Sequence, residues 1–165
     1  MEEEYIYIGK IVNTHGIKGE LRLLSNFSAK EKVFIPGMPI YIDNQKEIIT
    51  GYRHHKIFEM ITLKNYNDIN QVLKYKGKPV YIKEEDMKIS QEEYILEELV
   101  DYVIIENGEK LGRVKEIVYN NGNDLLSVSA AKDFYIPNNS HFIKKVDKEK
   151  KEITTENAKG LILWK

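Results

Sequence analysis

Gly9-Lys10-Ile11-Val12-Asn13-Thr14-His15-Gly16-Ile17-Lys18-Gly19-Glu20-Leu21-Arg22 places two glycines three apart, a histidine, two lysines and an arginine between two stretches of β-like sequence. Tyr5-Ile6-Tyr7-Ile8 before it and Glu20-Leu21-Arg22-Leu23 after it both alternate in polarity. Alternation gives strands with chemically distinct faces, so the stretch reads as a hairpin closed by a basic loop. Gly16 and Gly19 can take positive φ and fold the backbone tightly. Glu20 and Arg22 fall on one face and Leu21 on the other.

The same pattern continues outward. A polar segment from Ser25 to Lys32 leads to Val33-Phe34-Ile35-Pro36-Gly37, a short apolar run ended by turn residues. Ile40-Tyr41-Ile42 reads as a strand, Asp43-Asn44 as a turn, and Ile48 to Arg53 as the returning strand, with partial alternation again from Ile57 to Leu63. One short helix interrupts the series: Asn67 or Asp68 can cap it, Ile69, Val72 and Leu73 would share a face, and Gly77 stands where it should stop. Val80-Tyr81-Ile82 returns to strand. Short strands at turn-separated intervals predict a small barrel over residues 1–83.

Lys83 to Lys88 is highly charged and has no periodic apolar face, which predicts a linker over 84–92. The second domain is expected over 93–165. Ser90-Gln91-Glu92-Glu93 matches a capping box and predicts a helical turn through Glu98. Asn107-Gly108 is the strongest hairpin signal in the chain, between strands at 101–106 and 111–119. Asn121 to Asp124 makes a further turn. Short strands follow at 125–129, 134–136, 142–146 and 153–154, with Pro137 and Asp147 to Lys151 as breaks. The fold class is therefore all-β, two small barrels with short helices, the second expected to be antiparallel.

Composition narrows the function. Net charge is −1, and the first 90 residues carry 14 basic against 12 acidic side chains, the remainder 11 against 14. A binder of bulk nucleic acid normally has a larger positive excess, so any RNA contact must come from a local patch. There is no cysteine, which removes disulfides and thiolate metal sites and fits a reducing compartment. The acidic start, Met1-Glu2-Glu3-Glu4, is unlike a signal peptide, and no apolar run reaches membrane-span length. A cytoplasmic monomer without membrane contact is expected.

The chemistry-bearing residues are few. Gly16-Ile17-Lys18-Gly19 is a G-x-x-G, a motif that clamps RNA backbone in one class of domain, but there the loop joins helices. The bland reading is a tight turn with solvated lysines. Arg53-His54-His55-Lys56 is a basic run between strands, an ordinary exposed loop unless barrel closure brings it beside Lys18 and Arg22 to form a phosphate-binding patch. None of the four histidines has metalloprotease spacing. No nucleophile elbow, nucleotide fingerprint or supported carboxylate pair is present, so no catalytic, cofactor or metal site is expected. Tyr94, Ile95, Leu96 and Leu99 offer apolar groups on more than one side of a short helical segment; they read either as core or as a protein-docking surface.

At this point the motifs carry a resemblance. Gly9-Lys10-Ile11 with His15-Gly16-Ile17-Lys18-Gly19-Glu20-Leu21-Arg22 resembles the N-terminal signature of the RimM family of ribosome maturation factors. Glu93-Tyr94, Leu99-Val100, Leu111-Gly112-Arg113-Val114, Asn123-Asp124-Leu125-Leu126 and Phe134-Tyr135-Ile136-Pro137 follow that family's order, so the resemblance spans nearly the whole chain. It implies a six-stranded N-terminal barrel like those of translation factors and a C-terminal PRC-type barrel. It also implies a non-enzymatic role in late assembly of the head of the small ribosomal subunit. The implied partners are small-subunit ribosomal protein nineteen, bound by the C-terminal domain, and small-subunit ribosomal RNA near the N-terminal domain. The resemblance makes His15, Lys18, Arg22, Arg53, His54, His55 and Lys56 RNA-facing candidates. It makes Tyr94, Ile95, Leu96 and Leu99 candidates for binding the ribosomal protein. Three positions depart from the family pattern: where the family commonly has two tyrosines and a tryptophan the chain reads Tyr94, Ile95, Leu96, and a family glycine is Asp101.

Two other functions fit less of the chain. A stand-alone RNA-binding module would act through the Gly16–Gly19 loop alone. An enzyme acting on RNA would need a catalytic constellation that the residues do not supply.

Overall fold

Apolar residues at every second position drive the first six strands to bury one face each. In a computed structural model, which describes residues 5–90, 93–120 and 122–162, these are β1 (Tyr5–His15), β2 (Glu20–Leu24), β3 (Pro39–Ile42), β4 (Gln45–His55), β5 (Phe58–Leu63) and β6 (Pro79–Lys83). They form a closed antiparallel barrel in the order β1-β2-β5-β4-β3-β6, with β6 pairing back to β1. Ile8, Ile11, Leu21, Leu23, Ile40, Ile42, Ile49, Ile61, Val80 and Ile82 fill its interior at 0–1% exposure. Closure removes free sheet edges, which suits strands this short. Gly9 sits where β1 passes close to the end of β2; a Cβ there would lie 2.7 Å from the Leu24 carbonyl oxygen.

Two one-turn helices lie in the connections between strands. α1 (Lys30–Val33) begins in the polar segment and ends in the apolar run that follows it, where Val33 and Phe34 are buried. α2 (Ile69–Val72) is capped by Asp68, whose side chain accepts from the Asn70 amide in a capping box completed by Gln71. The expected apolar face over Ile69, Val72 and Leu73 is corrected. The helix tightens to a 3₁₀ turn at Leu73–Tyr75, which buries Val72 and Tyr75 and leaves Leu73 48% exposed. The Tyr75 and Tyr66 hydroxyls both donate to the buried carboxylate of Glu47.

The chain divides into two compact units at Ser90/Gln91. Glu84–Asp86 forms a single 3₁₀ turn and Met87 is buried. The second unit contains β7 (Val103–Glu106), β8 (Glu109–Val118), β9 (Leu125–Ser129), β10 (Phe134–Pro137), β11 (Ile143–Asp147) and β12 (Glu152–Thr155) in one six-stranded sheet ordered β10-β9-β8-β7-β12-β11. The expectation of purely antiparallel pairing is corrected at one place: β12 runs parallel to β7, with Ile153 beside Ile104. Parallel pairing needs a long connection, and local turn signals carry no record of it. Asn107 and Gly108 both take positive φ (52° and 77°), as a two-residue hairpin turn requires. Pro137 ends edge strand β10, a place where a missing amide costs no ladder bond. Of the turn at Asn121 to Asp124, Asn121 lies outside the described residues.

The capping box at 90–93 includes Gln91 and Glu92, which lie outside the described residues. From Glu93 to Ile95 the chain is not helical; a 3₁₀ turn begins at Leu96 and ends at Leu99. That turn delivers Leu96 and Leu99 into the second core beside Tyr102, Ile104, Val114 and Leu126.

Candidate nucleic-acid interface

Strand alternation sends Glu20 and Arg22 outward from β2 while Leu21 and Leu23 go inward. β5 lies between β2 and β4, and its Met60 pairs with Arg22 on one side and Arg53 on the other. Paired residues share a face, so the two arginines flank one buried methionine. Two histidines join them. Arg22 Nη2 donates to His15 Nδ1 at 2.7 Å, and the His15 and His55 rings are 6.3 Å apart. An arginine can only donate, so this bond requires His15 Nδ1 to be unprotonated. The Arg22 guanidinium also lies 4.8 Å from the centre of the Phe58 ring, and its water-shielded Nε–H has no acceptor among the described residues, so part of its interaction is with the aromatic face.

Glu20 organises the other arginine. Arg53 Nε and Nη2 donate to Glu20 Oε2 and Oε1 at 2.9 and 2.8 Å, a bidentate pair. That hydrogen bonding, against the opposing effect of burial and with the further help of the Arg53 charge, holds the Glu20 carboxyl below its ordinary range. His55 is held below the ordinary histidine value by desolvation first, then by Arg53, Lys56, His15 and Arg22. Arg22, Arg53 and Lys56 against Glu20 leave a local surplus of two positive charges on a chain whose net charge is −1. Such a cluster can make charge-assisted contacts to phosphate oxygens, which position a nucleic acid without reading its sequence.

The basic run 53–56 does not act as a unit. His54 alternates to the face opposite His55, where its Nδ1 lies 3.0 Å from Glu59 Oε1; the Tyr52 hydroxyl donates to the same oxygen, and Lys30 Nζ is 3.6 Å from the other. Burial raises the Glu59 pKa, but the Tyr52 and His54 bonds and the Lys30 charge outweigh it, so the group ends below its ordinary value. His54 therefore serves a network inside the hairpin. Lys56 takes positive φ (58°) at the tip of the β4–β5 hairpin, next to Ile57, which is 70% exposed.

Lys18 sits on the β1–β2 turn and is exposed. The turn itself is anchored: the Ile69 amide donates to the Ile17 carbonyl at 2.9 Å, and Gly19, with φ of +89°, packs so closely on Asp68 that a Cβ would lie 3.1 Å from its carbonyl oxygen. The glycines shape a loop docked on the start of α2, with His15 at its base.

The four protein-binding candidates are placed differently. Leu99 is 0%, Ile95 3% and Leu96 4% exposed, while Tyr94 is half-buried against the second core. The side chains of Ile95, Leu96 and Leu99 are thus packed inward and present no surface to a partner. The 3₁₀ turn places Leu96 and Leu99 in the second core, while Ile95 is buried just ahead of it. Two contributors to the basic face went unread in the sequence, Phe58 under Arg22 and Met60 between the arginines; only strand register reveals them.

Comparison with known proteins covers both units. The family model for the RimM N-terminal domain matches residues 6–87, and that for the RimM PRC barrel domain matches residues 96–161. The ribosome maturation factors RimM of Bacillus cereus and Bacillus mycoides are 33% and 34% identical to this chain over 96% of its length and 99% of theirs. A crystal structure of a 16S ribosomal RNA processing protein RimM from Pseudomonas aeruginosa is similar at a TM-score of 0.42 and 19% identity, covering 93% of this chain and 97% of that one.

Proposed function

Because the chain belongs to the RimM family of ribosome maturation factors, we propose that it is a non-enzymatic factor for late assembly of the small-subunit head, acting in the cytoplasm as a monomer. Its N-terminal barrel contacts ribosomal RNA, and its second domain binds small-subunit ribosomal protein nineteen. The observation that carries this reading is the convergence of His15, Arg22, Arg53 and His55 on one outward face of the barrel. These residues are 40 positions apart in the chain yet share one charged surface, with Lys18 and Lys56 on the adjoining turns.

The action is a population shift. A factor that binds one arrangement of RNA and protein more tightly raises its occupancy by its differential affinity, with no chemical step. The near-neutral net charge suits this role, since a strongly basic protein would bind mature and immature particles alike. Within the second domain, the Tyr94–Leu99 segment supports the partner-binding surface from beneath, and Tyr94 is the one of the four candidates that keeps part of its surface open.

The test is recovery of tagged protein with ribosomal particles. Immature small subunits should carry it and mature subunits should be depleted. Equal recovery from both pools would sink the maturation role.

A further inference from the structure

Alternation that buries Ile8, Ile40, Ile42, Val80 and Ile82 turns four tyrosines outward on neighbouring strands. Tyr7 pairs with Tyr81 across β1 and β6, and Tyr81 pairs with Tyr41 across β6 and β3. Tyr5 and Tyr41 meet edge to face at 5.3 Å between ring centres, and Tyr7 and Tyr81 at 5.8 Å. Tyr5 and Tyr7 remain 50% and 51% exposed. A groove of about 680 Å³ runs along this face between Tyr5, Tyr41 and Tyr81, with Lys46 and Lys78 on its walls. Lys83 adds a third positive charge, its Nζ 5.1 Å from the Tyr41 ring centre and 5.7 Å from that of Tyr5. Among the described residues, Asp43 is the one acidic residue lining the groove.

This arrangement is costly as a mere exterior. Half-exposed aromatic rings gathered on one sheet face leave apolar area in water that polar side chains at the same positions would not. The lysines decide what covers it: aromatic rings for stacking beside ammonium groups for phosphates are the two components of a surface for single-stranded nucleic acid. The face is carried by β1, β6 and β3, whereas the arginine cluster is carried by β2, β5 and β4 with the end of β1.

We propose that the tyrosine face of the barrel binds unpaired bases of single-stranded RNA, stacking them on Tyr5 and Tyr41 while Lys46, Lys78 and Lys83 hold the flanking phosphates. The proposal deepens the assembly reading and rests on its RNA contact: the arginine cluster positions a phosphate backbone, and the tyrosine face selects a strand that has not yet paired. Single-stranded segments are more abundant before an RNA domain is complete, so a stacking surface would favour immature particles.

The test titrates the full chain with a short fluorescent oligouridylate and with an RNA duplex of the same length. The single strand should bind more tightly. Replacing Tyr5 and Tyr41 together by leucine, which keeps apolar cover but no ring, should weaken single-strand binding at least about five-fold, as expected for losing one stacked base. Replacing both by phenylalanine should leave it within about two-fold. A duplex bound as tightly as the single strand, or an unchanged affinity in the leucine variant with an unchanged melting temperature, would overturn the proposal. So would loss of ribosomal-protein binding in that variant with oligouridylate binding intact, which would make the face a protein-docking surface. The assembly reading fails separately, if particle recovery does not distinguish immature from mature subunits while the oligouridylate result holds.

Discussion

Arg53 on β4 is clamped to Glu20 on β2 by two hydrogen bonds of 2.9 and 2.8 Å that reach across β5. The pair holds the guanidinium outward in a fixed plane and at the same time neutralises it. A phosphate approaching the face must compete with the Glu20 carboxylate, which tempers affinity and confines binding to sites where other contacts add up. Replacing Glu20 by glutamine should therefore strengthen RNA binding and steepen its salt dependence by about one unit of slope, since one more cation becomes free to displace counterions. Fluorescence anisotropy at several salt concentrations reads both, and an unchanged slope would mean that Arg53 does not reach phosphate.

The same face should respond to pH through His55. Desolvation and the nearby Arg53, Lys56, His15 and Arg22 favour its neutral form, so its folded-state pKa lies below the ordinary value of 6.5. The folded protein binds fewer protons there than the unfolded chain. Its contribution to stability is present above the ordinary value and is lost as pH falls through the depressed one. Between pH 7 and 5 the melting temperature of the wild type should fall more than that of His55→Gln. RNA affinity should move the other way, because a protonated His55 adds positive charge to the face. The Glu20 carboxyl is held below its ordinary value of 4.5 and falls outside this window. Parallel melting curves for the two proteins across this range would contradict the assignment.

In the second domain the buried carboxylate of Glu106 accepts from the Thr155 hydroxyl and the Ala158 amide at 2.9 Å and from the Lys159 amide at 3.1 Å. These bonds fasten the 3₁₀ turn at Ala158–Leu161 to the end of β7. Glu106→Ala strands buried donors and should cost about 1–3 kcal/mol, read as a lower denaturant midpoint. The conservative Glu106→Gln should recover part of it. A midpoint unchanged in Glu106→Ala would show that water replaces the bonds.

Asp101 occupies the position of a family glycine and takes φ of +74°. The backbone holds it there: its amide donates to the Val114 carbonyl at 2.8 Å and Arg113 Nη1 donates to its carbonyl at 2.7 Å. A left-handed residue with a Cβ costs about 1–2 kcal/mol, less for aspartate than for most. Asp101→Gly should raise stability by up to about 1 kcal/mol, offset in part by a more flexible unfolded chain. A drop in melting temperature would mean that the Asp101 side chain contributes more than its backbone strain costs.

The first barrel was legible because its strands obey one rule, apolar inward at every second residue, and its turns carry their own signals at Asp43-Asn44 and Gly16–Gly19. The second sheet was legible strand by strand but not in its β7–β12 pairing, which depends on residues about 50 apart. The basic cluster was half legible. Lys18, Arg22 and the run 53–56 stood out by type, yet which of them meet is decided by alternation, and alternation sends His54 to Glu59 and His55 to His15. Ile95, Leu96 and Leu99 read in the sequence as either core or docking surface, and burial places their side chains in the interior; a 3₁₀ turn has no apolar stripe of helical period that could have decided between the two. The tyrosine face was visible only as three separate strand fragments, since cross-strand register is what assembles it.

The central claim is that the outward basic face of the barrel binds RNA in immature small subunits. The direct measurement is the affinity of the full chain for immature small subunits as a function of salt, for the wild type and for a folded Arg22→Gln/Arg53→Gln variant. Loss of the Arg22 contact, with the Glu20 carboxylate left without its Arg53 partner, should weaken binding and lower the salt slope by at least about one. Equal affinity and equal slope in the two proteins would contradict the account.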